Sequence, residues 1–248
     1  MHALASTRRR TLFALTLPLL PMAAAHAATS GSGKAATETR EASGFAAITL
    51  RGGIDLVVRQ GAREAVQVSA DDNLLPLLQT TVEGSGESRT LAVQWARGEN
   101  IRTRTKAVVT VVVVKLTALA SSGSGDMVVE ALKTPALALS ISGSSDAKLS
   151  GLDTAQLRVA ITGSGDVQAS GKAPKLSVSI AGSGDVRTGE LAADDVSISI
   201  AGSGNASVRA NKTLAVSIAG SGDVEYAGAA TITNRRIAGS GSVRQRQP

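Results

Sequence analysis

Leu176-Ser-Val-Ser-Ile-Ala-Gly182-Ser-Gly-Asp185-Val186 is followed one repeat later by Val196-Ser-Ile-Ser-Ile-Ala-Gly202-Ser-Gly-Asn205-Ala206. In each copy, apolar residues alternate with small or polar ones and then meet two glycines flanking a serine. Period-two alternation marks a strand with one face inward, whereas a helical period of 3.6 would scatter the same residues around the axis. Seven such corners occur, beginning at Gly123, Gly143, Gly163, Gly182, Gly202, Gly220 and Gly239, at intervals of 18 to 20 residues. A fixed period of this length means one supersecondary unit stacked on copies of itself.

Aligning the copies exposes their columns. Two residues before the corner stand Ile141, Ile161, Ile180, Ile200, Ile218 and Ile237, and four before it Leu119, Leu139, Val159, Val178, Ile198 and Val216. A second short strand follows each corner, its first apolar position being Met127, Ala147, Val167, Val186, Ala206, Val224 or Val243. A further glycine (Gly151, Gly171, Gly189 or Gly228) closes most units. Each coil is thus strand, tight corner, strand and looser turn. The predicted fold class is all-β: a parallel β-helix (solenoid) of ~20-residue coils with a less regular N-terminal strand region. At about 4.8 Å per coil the seven repeats make a column on the order of 33 Å long. Stacking removes sheet edges except at the two ends.

Upstream of the repeats, Ile48 and Leu50, then Ile54, Leu56 and Val58, then Leu91, Val93 and Trp95 read as strands. Asp71 to Val82 is the one stretch with a helical option; Asp72 is its candidate N-cap, and Pro76 limits it to about a turn. Ala107 to Val114 is nearly continuous valine and is expected to pair on both sides, joining the N-terminal strands to the first regular coil.

Residues 1–27 read as a secretory signal. Arg8, Arg9 and Arg10 precede an apolar run from Leu12 to Ala25, and Ala25-His26-Ala27 offers a small-x-small cleavage site. The run is too short, and too broken by Pro18 and Pro21, to span a bilayer. The arginines fit both general secretory and twin-arginine export. Residues 28–43 are expected to form a flexible leader, 44–245 a single β-helix domain, and 246–248 a tail. Removing the signal takes away three arginines and both histidines, leaving 23 basic against 20 acidic residues, a formal +3. Scattered basic residues with almost no aromatics give nucleic-acid binding no support. The chain has no cysteine, which excludes disulfides and a lipid anchor on Cys.

The pattern of Phe45-Ala-Ala-Ile48, Gly53-Ile54-Asp55-Leu56-Val57-Val58-Arg59-Gln60-Gly61 and Asp72-Asn73-Leu74-Leu75, followed by recurring Ile-x-Gly-Ser-Gly-Asp, resembles the putative auto-transporter adhesin, head GIN domain family of bacterial secreted proteins. The resemblance covers roughly Phe45 to Val243. It implies an exported β-helix and names no catalytic position. Two copies depart from the ladder: Gly143-Ser144-Ser145-Asp146 lacks the second glycine, and Gly202-Ser203-Gly204-Asn205 lacks the acid.

Three sets of residues are candidates for chemistry. Asp126, Asp146, Asp166, Asp185 and Asp223 form a ladder that reads either as calcium ligands or as carboxylates capping backbone N–H groups at each bend. The calcium-binding β-roll repeats every nine residues or so, and Asn205 and Ser242 at the equivalent positions suit capping better than cation binding. Neither a metal nor a cofactor is therefore assigned. The serines between the glycines (Ser124, Ser144, Ser164, Ser183, Ser203, Ser221 and Ser240) have no base beside them, and the better expectation is hydroxyls bonding along the stack. Glu190, Asp194 and Asp195 share the longest inter-strand turn and are the candidates for a polysaccharide lyase or hydrolase. No aromatic platform accompanies them, so solvated turn charges are the plainer reading. The leading expectation is a non-enzymatic, exported binding or adhesion-type scaffold of the periplasm or cell surface. Its partner is an unidentified envelope or extracellular protein or glycan, and the mature chain has no membrane span.

Overall fold

The computed structural model describes residues 28–86 and 89–246. The first strands are β1 (Thr29–Ser30), β2 (Ala35–Arg40), β3 (Ala47–Gly52), β4 (Asp55–Gln60) and β5 (Ala65–Asp71). A 3-10 turn at Leu75–Leu77 leads into β6 (Leu78–Glu83), β7 (Thr90–Trp95), β8 (Ile101–Arg102) and β9 (Val108–Val113). The repeats then supply β10 (Ala118–Gly123), β11 (Met127–Glu130), β12 (Lys133–Gly143), β13 (Ala147–Gly163), β14 (Val167–Lys172), β15 (Lys175–Gly182) and β16 (Val186–Ala192). Beyond them follow β17 (Asp195–Gly202), β18 (Ala206–Arg209), β19 (Thr213–Gly220), β20 (Asp223–Ala227), β21 (Thr231–Gly239) and β22 (Ser242–Gln245).

The repeat strands stack in parallel and in register. Before the corner, Ile141 pairs with Ile161, Ile161 with Ile180, Ile180 with Ile200, Ile200 with Ile218, and Ile218 with Ile237. After it, Met127 pairs with Ala147, Ala147 with Val167, and Val167 with Val186. The isoleucines from Ile141 to Ile218 are all buried, so the matching column forms a continuous spine inside a parallel β-helix.

The corner needs both its glycines. Gly182 holds φ +137, and a Cβ there would lie 2.2 Å from the carbonyl oxygen of Gly163 in the coil below. At Gly184 an added Cβ would meet the Gly165 carbonyl oxygen at 2.2 Å and Cγ2 of Ile161 at 3.0 Å. The corner is therefore tight because the isoleucine of one coil tucks beneath the second glycine of the next.

The stack starts earlier in the chain than the seven repeats do. β3 pairs with β10 and β4 with β11, so the corner Gly52-Gly53-Ile54-Asp55 lies directly beneath Gly123-Ser124-Gly125-Asp126. β7 and β9 form the layer below, parallel to β3 and β4. Antiparallel strands then close this end, with β6 on β7, β5 on β9, and β2 on β5. The valine run of β9 is paired on both sides, by β4 and β5. Continuity with the regular coils passes through β3 and β4, however, and not through β9.

Residues 28–43, expected as a flexible leader, contain two paired strands. β1 pairs with β8 and β2 with β5. A buried carboxylate pins the segment between them. Asp71 accepts the N–H of Gly33 at 2.7 Å, of Arg104 at 2.9 Å and of Thr105 at 3.2 Å. A Cβ on Gly31 would sit 2.2 Å from Asp71 Oδ2, so the chain can close over this carboxylate only with glycine there. Composition concealed this arrangement because the segment is secured by one acid over 30 residues away and not by an apolar stripe. The 3-10 turn has Leu74 at its N-cap and no side-chain cap. Asp72 instead accepts from Ser32 Oγ and from the N–H of Asn73. The secretory signal read at residues 1–27 lies outside the described residues, as do residues 247–248 of the tail.

Candidate functional site

The aspartates of the ladder occupy one position on successive corners, immediately before the second strand. Each offers Oδ1 to the backbone N–H of its counterpart one coil up. Asp166 N donates to Asp146 Oδ1 at 2.9 Å, Asp185 N to Asp166 Oδ1 at 3.0 Å, and Asp146 N to Asp126 Oδ1 at 3.4 Å. Asn205 keeps the chain of bonds unbroken, accepting from Asp223 N at 3.0 Å and donating its own N–H to Asp185 Oδ1 at 3.1 Å. Ser242 ends the ladder with two donations to Asp223 Oδ1, at 2.8 Å from its N–H and 2.7 Å from its hydroxyl. The Ser242 hydroxyl bond is the largest cause holding the Asp223 carboxyl below its ordinary pKa.

The ladder has one more rung than sequence reading gave it. Asp126 N donates to Asp55 Oδ1 at 3.0 Å, and Lys106 Nζ lies 3.4 Å from Asp55 Oδ2. The signal was present in the chain, since Asp55 follows Gly52-Gly53-Ile54, the repeat corner with isoleucine in place of its second glycine.

A protein cation serves the middle of the ladder. The Arg187 guanidinium bridges Asp166 Oδ2 and Asp185 Oδ2, each at 2.9 Å. The bond to Asp166 is the main reason the Arg187 pKa is raised. Asp126, Asp146 and Asp166 share a shallow hollow of about 270 Å³ with Lys148, Gln168 and Arg187. Among the described residues, no group of three or more Asp, Glu, His or Cys side chains is placed to hold a metal ion.

The serine ladder is built differently from the expectation. Its rungs are main-chain bonds, such as Ser164 N to Gly143 O and Ser203 N to Gly182 O, each at 2.9 Å. The seven side chains are exposed, and among the described residues no hydroxyl bond joins one to another. The extended corner turns these hydroxyls to water.

Glu190, Asp194 and Asp195 are not brought to one point. Glu190 lies on β16, facing a hollow with Gln168, Arg187 and Arg209. Asp194 is tied to Lys212 at 2.9 Å, and that bond is the main cause holding its carboxyl below the ordinary range. Asp195 Oδ1 accepts from Thr213 Oγ1 at 2.7 Å. Both aspartates serve neighbouring coils of the turn, so the arrangement assembles no acid and base pair.

A feature that sequence reading did not anticipate lies on the outer side of the second strands, near the last coil. Arg209, Asn211, Ala227, Gly228, Ala229, Gln245 and Arg246 surround an open hollow of about 520 Å³. Arg209 is paired in register with Ala227, and Arg246 N donates to Tyr226 O at 2.8 Å, which places the two arginines on either side of the alanine.

The family model described as putative auto-transporter adhesin, head GIN domain, matches residues 44–230. The chain belongs to this family. Solved structures share the fold. A putative adhesin from Bacteroides fragilis is 24% identical with a TM-score of 0.79, and the match covers 88% of this chain and 100% of that one. A putative lipid binding protein from Parabacteroides distasonis is 23% identical with a TM-score of 0.72, covering 89% of this chain and 100% of that one. A putative adhesin from the same organism is 25% identical with a TM-score of 0.69, again over 89% and 100%. No curated protein matches the chain. Among the described residues no helix is long and apolar enough to cross a membrane.

Proposed function

We propose that this head GIN protein is an exported, non-enzymatic scaffold of the adhesion type, acting in the periplasm or at the cell surface. The observation that carries this reading is the outward face of the strands before the corner. Ser140, Ala160, Ser179, Ser199 and Ser217 lie side by side on five successive coils in unbroken register. Small outward side chains on a rigid stack make a flat, extended surface suited to contact with another surface, not to enclosing a small substrate. Asp194 and Asp195 are engaged in holding the turn, and Glu190 lies apart from them on β16, which gives the enzymatic alternative no support. The calcium alternative gains none either, because the ladder oxygens accept backbone N–H groups. A structural relative is named as lipid binding. In this chain the only large apolar side chains exposed among the described residues are Val114 and Ile232, on separate stretches, so the reading stays with adhesion.

The test is retention from envelope extracts on the immobilised chain. Specific retention, lost when Ser179 and Ser199 are both replaced by lysine, supports a flat-face scaffold. Retention no greater than on an unrelated solenoid refutes it.

A further inference from the structure

Arg209 and Arg246 are set apart by their place, since both line one hollow near the last coil. Among the described residues neither guanidinium has an ion-pair or hydrogen-bond partner. The hollow they flank has no acidic residue in its lining. Arg187, the next basic side chain along the same flank, is already bound to Asp166 and Asp185. Glu190 and Glu225 line two further hollows that also include Arg209 and Arg246, and neither pairs with either arginine. With Ala227 on the coil between them, the two arginine backbones are two coils apart, about 10 Å at the spacing of stacked strands. The alanine leaves open the space into which both forks can turn.

We propose that Arg209 and Arg246 clamp an acidic group, carboxylate or sulfate, carried on an extended glycan. This goes beyond the scaffold reading, on which it rests, because the clamp lies on the second strands, off the flat face, and names a partner's chemistry. Planar guanidiniums present paired donors matched to such oxyanions, and an anion between them also relieves their mutual repulsion. The ligand is a chain and not a free ion because the space continues. A second hollow of about 330 Å³ shares Arg209 and Arg246 and extends to Gln168, Arg187 and Glu190, so its cations outnumber its one acid. Amides at Asn211, Gln245 and Gln168 border the two spaces and suit hydroxyl groups, each offering both donors and acceptors. Gln245 is already oriented, with Nε2 donating to Gly228 O at 2.8 Å. A nucleic acid would want aromatic faces for its bases, and the nearest ring, Tyr226, is buried in the core. A bilayer would want apolar side chains to insert, and neither Val114 nor Ile232 lines the hollow.

The experiment measures binding of the chain to polygalacturonate and dextran sulfate at physiological salt, with uncharged dextran and phosphatidylglycerol vesicles as comparators. Arg209→Ala and Arg246→Ala are each expected to weaken binding to an acidic glycan by about tenfold or more, the loss of a charged hydrogen-bonding pair. Arg63→Ala, exposed in the turn between β4 and β5, is expected to leave binding unchanged. Both arginines of the clamp are exposed, and unchanged circular dichroism checks that the variants remain folded. Equal losses for Arg63→Ala and Arg209→Ala overturn the clamp in favour of general electrostatics. Binding to vesicles but to neither acidic glycan overturns the glycan class. Binding to none of the probes overturns the inference, while specific retention from envelope extracts would leave the scaffold reading standing.

Discussion

The irregular coil at Ser145 makes the sharpest test of how the corners are packed. In the regular coils a Cβ at the second glycine would come within 3.0 Å of the preceding isoleucine's Cγ2 at Gly165 and Gly184, 2.8 Å at Gly204, and 2.9 Å at Gly222 and Gly241. Ser145 carries a Cβ at this position and is fully buried, because the isoleucine column is interrupted beneath it. Ser121 stands there instead, and the two hydroxyls share a buried hydrogen bond of 2.7 Å. The two departures are thus one paired substitution. Ser121→Ile alone drives a methyl group into Ser145 and strands its hydroxyl, at about 1–3 kcal/mol for overpacking and about 1–3 kcal/mol for the unpaired group. Ser145→Gly alone strands the Ser121 hydroxyl, again about 1–3 kcal/mol. The double change removes both hydroxyls together and buries an isoleucine worth about 1.5–3 kcal/mol, against roughly 0.5–1 kcal/mol for the added glycine. The double variant should therefore match or exceed the parent in stability, with a coupling energy of about 3 kcal/mol or more. Urea unfolding of all four proteins, followed by circular dichroism and by the fluorescence of Trp95, the chain's only tryptophan, measures it. Additive losses, with the double variant the least stable of the four, would refute the packing argument.

Other positions give simpler tests. Gly204→Ala places a Cβ 2.3 Å from the Gly184 carbonyl oxygen and should cost about 3 kcal/mol or more, whereas Gly189→Ala, with its nearest neighbour 4.0 Å away, should stay within about 0.5 kcal/mol; urea midpoints distinguish them. Ala131 is the one non-glycine residue with positive φ among those described, at +46, and Gly151 in the next coil holds +64, so Ala131→Gly should stabilise by about 1 kcal/mol, read as a raised melting temperature. At Asp71, burial works against the charged form, but the N–H groups of Arg104, Thr105 and Gly33 outweigh it and lower the pKa from its ordinary 3.8. Its stabilisation is therefore complete above about pH 4 and lost as pH falls through the folded-state value. Asp71→Asn should flatten the acid limb of the stability curve and expose residues 28–40 to proteolysis.

The repeats were legible because their physics is local and periodic. The Ile180 column, the glycine corners and the inward alternation each follow from residues a few positions apart, and stacking multiplies them. What could not be read depends on contacts between distant segments. Asp71 secures a leader whose own composition is that of a coil. Gly52-Gly53-Ile54-Asp55 reads as an isolated turn until β3 is found beneath β10. The Ser121–Ser145 pair is visible only after Ile141 is known to lie under Gly165, 24 residues later, because that offset then links a missing isoleucine to a missing glycine. The clamp was hidden for a related reason, since Arg209 and Arg246 lie in different repeats and only the spacing of the coils brings them to either side of Ala227.

The two ends of the stack handle the same problem in opposite ways. A solenoid must stop without leaving a flat, apolar edge that recruits further strands. At the N-terminal end β5 and β6 run antiparallel to the layers they cover, so the parallel pattern cannot propagate past them. At the other end β21 pairs with β19 and β22 with β20, with no described strand on their far sides. There the last coil carries Arg235, Arg236, Arg244 and Arg246 and no acid, while its ladder position is Ser242. Four exposed arginines make a second copy docking end to end electrostatically unfavourable, and Ser242 stops a carboxylate ladder that would otherwise offer another acceptor. One of the same arginines, Arg246, also completes the clamp. The charge that discourages self-association is thus the charge that would select an acidic partner, so recognition of an acidic glycan and protection of the edge draw on a single feature of the final coil.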